Sequence, residues 1–316
     1  MSSNKKYYDL LKKAQDEKLS INKNTLLKTK KLYQKAINDL IKKINNTETF
    51  NQAFIKDQIK YFRKRIKEID KTVEYMIEKG ITETSEIMTS VNGDFFSYIN
   101  EKYNLNLDQD LIDSLYAPNE KVIKKIIEGG LYKDKLSLSE RVWNYSEKNI
   151  NDVQEILLKG MIEKKPLKEI CDELSAYTGG KNSKVSVIKR TYGNMSANAL
   201  RLVRTSLNHA FLETMKDECR YNTFVEGYKW TLSSQHSIRM HGRSDICDEY
   251  ANSDEFGLGE GVYPKNITRI PHPNCLCIIT AYIPKNLDDI GAEIRRWIDG
   301  ESNKGIDKWV KEVYEN

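Results

Sequence analysis

From Ile55 the apolar positions fall at Ile55, Ile59, Phe62, Ile66, Ile69, Val73 and Met76, in alternating steps of four and three with charged residues between them. A repeat averaging 3.5 residues is the seam of a helix that lies lengthwise against another helix. A partner stands just upstream, where Tyr33, Ile37, Leu40 and Ile44 repeat the four-three-four spacing before the polar break Asn45-Asn46-Thr47. The two read as an antiparallel hairpin of about 25–44 and 52–79, with no strand in the N-terminal half. Gly80 is expected to end the second helix, and Thr82-Glu83-Thr84 to start further helix running unevenly to Asn104.

Helices are predicted next over about 108–128, 139–160 and 166–177, punctuated by Ala117-Pro118-Asn119, by Gly129-Gly130 and by Gly160 with Pro166. The small, polar stretch Thr178-Gly179-Gly180-Lys181-Asn182-Ser183 reads as a domain boundary. A long helix over about 196–220 follows, with Leu200, Val203, Leu207, Ala210, Phe211 and Met215 on one face. Beyond it the period changes. The stretches 224–232 and 276–283 read as strands bracketing a turn-rich loop, and short amphipathic helices at about 287–299 and 306–314 close the chain. The expected architecture is mainly α: a helical N-terminal arm and bundle over 1–180, a small α+β domain over 181–284 and a helical tail over 285–316.

Charge separates these parts. The chain of 316 residues carries a net +5, but residues 1–80 hold 20 Lys+Arg against 10 Asp+Glu, leaving 31 against 36 for the remainder. The densest basic run is Lys60-Tyr61-Phe62-Arg63-Lys64-Arg65-Ile66-Lys67. Since Phe62 and Ile66 belong to the seam, Lys60, Arg63, Lys64 and Lys67 flank it toward solvent, where they would meet phosphates without sequence choice. The alternative is a solvated coiled-coil face. No apolar run approaches the roughly 20 residues that span a bilayer. The first residues lack the apolar core of a signal peptide, so a reducing cytoplasm is expected unless a non-secretory route carries the protein out. Five cysteines, two of them isolated in helices (Cys171 and Cys219), argue against a disulfide framework.

The remaining cysteines carry the candidate chemistry. Pro271-His272-Pro273-Asn274-Cys275-Leu276-Cys277 and, upstream, Asp245-Ile246-Cys247-Asp248 place three cysteines and a histidine in a short span, with His236 close before them. A zinc site needs four soft or borderline donors converging on one point. Cys275 and Cys277 are two apart, so in extended chain they face one side; Cys247, His272 and His236 complete five candidates for four positions. The expected set is Cys247, His272, Cys275 and either Cys277 or His236, a structural zinc site, with Asp245 and Asp248 as acceptors that orient a ligating imidazole. The competing reading makes the cysteines small buried hydrophobes. His241 reads as a loop residue and His209 as a helix-packing one.

In sequence order, Arg204-Thr205-Ser206 in a helix, Tyr228-Lys229-Trp230, His236, Asp245-Ile246-Cys247-Asp248, residues 256–264 (Phe256-Gly257-Leu258-Gly259-Glu260-Gly261-Val262-Tyr263-Pro264) and the closing Pro271–Cys277 element resemble the minor head proteins of tailed bacteriophages, the head-morphogenesis or MuF-type family. The resemblance covers about residues 196–284. The insert 237–243 lengthens the step from His236 to Asp245 and departs from the family pattern at His236. The resemblance implies a non-enzymatic virion component, made in the host bacterial cytoplasm and then held inside the capsid. Its implied partners are the portal protein and capsid interior, with phage DNA as a non-specific one and no membrane anchor. Its implied role is head morphogenesis or DNA delivery.

Enzymatic readings find little purchase. The glycines of Phe256–Gly261 are followed by Tyr263-Pro264 rather than a helix, so they make turns and not a phosphate loop. No deaminase pattern, Gly-x-Ser-x-Gly elbow or Ser-His-Asp arrangement occurs. The alternative from another class is a zinc-dependent nuclease or toxin-type effector carried by a phage.

Overall fold

The computed structural model describes residues 5–117, 120–179, 195–240 and 242–315. Among these the protein is mainly helical, with a long N-terminal helical arm and one small antiparallel sheet. The helices are α1 (Lys5–Asn45), α2 (Gln52–Tyr103), α3 (Gln109–Ser114), α4 (Glu120–Ile127), α5 (Leu138–Ile162), α6 (Leu167–Tyr177), α7 (Met195–Tyr221), α8 (His236–Met240), α9 (Ile246–Asn252), α10 (Leu287–Ile298) and α11 (Lys304–Glu315). The strands are β1 (Gly227–Thr231), β2 (Val262–Pro264) and β3 (Ile278–Tyr282). Two compact units form. Unit 1 comprises residues 1–21, 80–126 and 204–316, and unit 2 residues 22–79 and 127–203. These units take discontinuous segments, so they cut across the consecutive division at 180 and 284. The boundary stretch itself lies from Gly180 onward outside the described residues, as does His241.

In unit 2 the hairpin is formed by the seam. Tyr33, Ile37, Leu40 and Ile44 of α1 are buried together with Ile55, Ile59, Phe62, Ile66, Ile69 and Val73 of α2. The pairing is antiparallel: Tyr33 reaches Asp70, while further along α1 Lys43 sits 4.0 Å over the ring of Tyr61, earlier in α2. The Asn51 side chain accepts from the Phe54 N–H and starts α2. Helix α5 packs as a third member: Tyr145 meets Tyr33 edge-on, Ser146 donates to Asp70, and Arg63 makes two hydrogen bonds to Glu147. Burial raises the Asp70 carboxyl to about 6, against the lowering effect of the Ser146 and Tyr33 hydroxyls. Helix α6 closes this unit through Tyr177, which donates to Asn149 and Asp152 of α5.

Two details of the hairpin differ from the sequence reading. Met76 is only half-buried and Ile77 takes its place, because a straight helix drifts from a strict 3.5 repeat and the seam moves on by steps of four. Gly80 does not end the helix. It lies inside α2, where a Cβ would stand 3.1–3.3 Å from the side chain of Leu207, so its missing side chain is a packing feature and not a stop. The segment 108–128 is correspondingly two helices, α3 and α4.

Unit 1 is built on a core from the start of α1, the second half of α2, α7, the sheet and the closing helices. Tyr7, Leu11, Met88, Phe95, Phe96, Phe211, Met215, Trp230, Ile279, Ile290 and Trp309 are all in it. The sheet order is β2-β1-β3, both pairings antiparallel, with Tyr228 opposite Tyr263 and Ala281. The β2 strand was missed in the sequence because three residues show no alternation. Gly227 admits it: a Cβ there would lie 2.3 Å from the Tyr263 carbonyl oxygen. The strands expected over 224–232 and 276–283 are observed, shortened at both ends. The closing helices are integral, with Trp309 4.7 Å from Phe96.

Placing a carboxylate in the seam tests the hairpin. Ile66→Asp or Ile69→Asp puts an uncompensated charge where an apolar side chain is buried, and a loss of about 3 kcal/mol or more is expected. Thermal unfolding followed by circular dichroism should show it; an unchanged melting curve for both variants would contradict a packed seam.

Candidate metal centre

The loop between β1 and β3 folds back on itself through local capping. Asp245 accepts from the Cys247 N–H and Asp248 from the Asp245 N–H, a reciprocal box that starts α9 and points Cys247 inward. Before β3, Cys275 donates its N–H to the His272 carbonyl, and Asn274 takes a left-handed conformation at φ 67°. That turn is clamped by other elements. Arg204 of α7 donates to the Asn274 side chain at 2.8 Å, Asn274 N–H donates to the Thr205 hydroxyl at 2.8 Å, and Arg239 of α8 donates to the Asn274 carbonyl.

These devices bring three thiols together. Cys247, Cys275 and Cys277 are fully buried, and their sulfurs lie within 4.8 Å of one another. The Cys247 and Cys275 sulfurs are 3.6 Å apart, and the Cys277 N–H donates to Cys275 Sγ at 3.1 Å. This group could hold a metal ion. Four donors around a tetrahedral ion at Zn–S lengths of about 2.3 Å stand about 3.8 Å apart, so the observed spacing needs little adjustment. The electrostatics agree. Hydrogen bonds with Cys275 and Cys277, and then burial, push the Cys247 thiol up. Those donated by Cys247 and Cys275 hold Cys277 well below the usual thiol range. Like charges this close disfavour one another, so ionising all three requires a compensating cation.

The imidazoles divide differently from expectation. His236 stands at the thiols: its Nδ1 is 3.6 Å from Cys277 Sγ, while its Nε2 is 2.9 Å from Asp248 Oδ2. A carboxylate–imidazole pair of this kind orients histidines that ligate metals, although the close thiol group itself comprises the three cysteines and His236 stands beside Cys277. Burial alone would lower the His236 pKa, but the hydrogen bond to Asp248 and the neighbouring Cys277 raise it. His272, expected among the ligands, is grouped instead with Asp245 and His236. Its turn faces it toward the Asp245 carboxylate, 2.9 Å away, and its Nδ1 toward the Pro273 carbonyl. The insert 237–243 does not remove His236, because most of it is taken up in α8.

Residues with a part in this centre include some that sequence reasoning gave no role. Arg204 and Thr205 belong to a motif to which the sequence alone gives no task, and Arg239 lies in the insert 237–243. Lys18, one basic residue among many in the arm, is buried, donates to Asn208 at 2.8 Å and lies 4.4 Å over the Phe211 ring. Burial lowers its pKa to about 8, opposed by Cys275 and Cys277. Nothing in its local sequence marks it. His209 is buried in α7, in keeping with a packing role.

The basic run is also redistributed. Lys60, Lys64 and Lys67 are exposed on one face of α2, whereas Arg63 is half-buried and committed to Glu147. Among the described residues no helix is long and apolar enough to cross a membrane. Comparison of the chain with protein-family models, with curated proteins and with solved structures finds no match.

Cobalt reports directly on the thiols. The protein loaded with Co2+ should show thiolate-to-metal charge-transfer absorption, Cys247→Ser should lose most of it, and His272→Gln should keep it. Loss of the band in His272→Gln would return His272 to the thiol group.

Proposed function

We propose that this chain is a structural, non-enzymatic minor head protein of a tailed bacteriophage, and that a structural zinc held by Cys247, Cys275, Cys277 and His236 Nδ1 pins its small α+β region. The observation that carries the reading is the convergence of separate sequence motifs on one point. Arg204 and Thr205 grip Asn274, while Cys247 meets Cys275 across 28 residues of chain, with Cys277 in the same group. These are the elements, in the same order, on which the resemblance to MuF-type proteins rests. Three thiolates and one imidazole suit zinc, and a thiolate-rich set closes all four positions and leaves none for substrate. Bound there, the metal would supply folding free energy by tying α9 and the approach to β3 together. With three thiolates the centre would carry a net negative charge, which the buried Lys18 ammonium would offset.

The setting that fits this reading is the capsid interior, in association with the portal protein, after synthesis in the bacterial cytoplasm, with a role in head morphogenesis or DNA delivery. Packaged DNA is then a neighbour of the arm, and Lys60, Lys64 and Lys67 present a contact surface indifferent to base sequence. A zinc-dependent nuclease or toxin-type effector is the alternative from another class.

Two measurements test the proposal. Mass spectrometry of purified proheads is expected to find the protein in few copies, recovered together with the portal protein. Its absence from particles, or metal-dependent nuclease activity of the purified chain, would overturn the reading. For DNA, the full chain should retard duplex weakly, with retention falling steeply as salt rises. Neutralising Lys60, Lys64 and Lys67 together should reduce the slope of log affinity against log salt by about 3. Arg63→Gln should act instead through stability, by leaving Glu147 half-buried without its partner. No retardation at low salt would leave the arm a solvated helix face.

A further inference from the structure

Beside the thiols lies a second donor group of different chemistry: His236, Asp245 and His272, with ligand atoms within 4.8 Å of one another. Its geometry calls for a positive species. The His272 Nδ1 is 2.8 Å from the Pro273 carbonyl oxygen, which can only accept, so Nδ1 carries the proton. In the neutral ring Nε2 is then a bare lone pair. It faces Asp245 Oδ2 at 2.9 Å, also an acceptor, and both atoms are buried without a hydrogen-bond partner. The other Asp245 oxygen is occupied by the Cys247 N–H, so the carboxylate cannot turn away without uncapping α9.

Two lone pairs held face to face require a positive species: a second proton on His272 or a metal cation. Two ligand atoms bound at about 2.1 Å to a tetrahedral ion stand about 3.4 Å apart, so the 2.9 Å between His272 Nε2 and Asp245 Oδ2 would open by about half an ångström on binding. A third donor is at hand, since His236 Nε2 is 3.5 Å from Asp245 Oδ1.

We propose that His272 Nε2, the Asp245 carboxylate and His236 Nε2 form a second divalent-cation site, of nitrogen and oxygen donors, next to the thiol site. His236 then serves as the shared wall of both, Nδ1 toward the thiols and Nε2 toward the second ion. When both sites fill, His236 releases its Nε2 proton to solvent and exchanges its hydrogen bond with Asp248 for the metal. The donor set suits zinc, cobalt or nickel and lacks the hard oxygen cage that calcium takes. This inference does not rest on the virion reading or on the identity of the thiol-bound metal.

The test uses the full chain saturated with Co2+, then with Cd2+. Wild type should bind two ions per chain by elemental analysis. The cadmium form should give two 113Cd resonances, one in the downfield thiolate range and one upfield in the nitrogen and oxygen range. His272→Gln should bind one ion and keep the thiolate charge-transfer band. Asp245→Asn, which retains an oxygen to cap α9, should do the same. One ion and one thiolate resonance in the wild type would overturn the second site and leave His272 paired with Asp245 alone. Two ions in both variants would overturn it equally. Loss of the thiolate band with the upfield resonance intact would instead remove the zinc assignment while sparing this one. The wild-type spectrum decides the question even where a variant fails to fold.

Discussion

Three buried thiols within a few ångströms of one another cannot all ionise unless a positive charge stands among them, and the loop between β1 and β3 brings Cys247, Cys275 and Cys277 to that spacing. Its strands are five, three and five residues long, too short to be stable as an isolated sheet. What holds the intervening loop is a set of polar devices aimed at the same spot: the capping box of α9, the clamp on Asn274 and the Asp248 hydrogen bond to His236. Each is modest alone. A metal bound to the thiols would make them cooperative, because Cys247, Cys275 and His236 each lie in or next to one of these devices.

The helical contacts of the two units differ in kind. In unit 2 the seam of α1 and α2 is apolar, with one shared polar network at Tyr33, Asp70 and Ser146. In unit 1 the inward faces of α2 and α7 carry polar groups. Thr84, Ser85 and Thr214 bury hydroxyls without hydrogen-bond partners, at a cost of order 1–3 kcal/mol each. Glu218, partly buried, is pushed up to about 8 by burial and accepts from Asn92 at 2.8 Å. These groups weaken the contact of α2 and α7 relative to an apolar one. The aromatic cluster of Phe95, Phe96, Phe224 and Trp309 compensates nearby.

Much of the architecture was legible because it is written in periodicity. The hairpin, α7, two strands and the closing helices all follow from spacings of 3.5, 3.6 or 2, which depend on local geometry and on which face is buried. Misreadings arise where a distant neighbour overrides a local preference. Gly80 looks like a stop until Leu207 packs against it, and β2 is invisible until β1 pairs with it. Arg63 looks solvent-facing until Glu147 arrives from α5.

For the candidate centre, the sequence by itself determined the donor types and their clustering: Cys247, Cys275 and Cys277 with His236, His272, Asp245 and Asp248 in a stretch of about 40 residues. Donor type is a property of the side chain, so it survives any folding of the loop. Tertiary structure decided which donors share a point. It set His236 at the thiols and His272 opposite Asp245, because the Asn274 turn, clamped by Arg204 and Thr205, fixes where each imidazole faces. Spacing along a loop bounds only how far a side chain can reach, whereas coordination depends on direction. Direction here comes from helices α7 and α8, whose role the loop sequence does not contain.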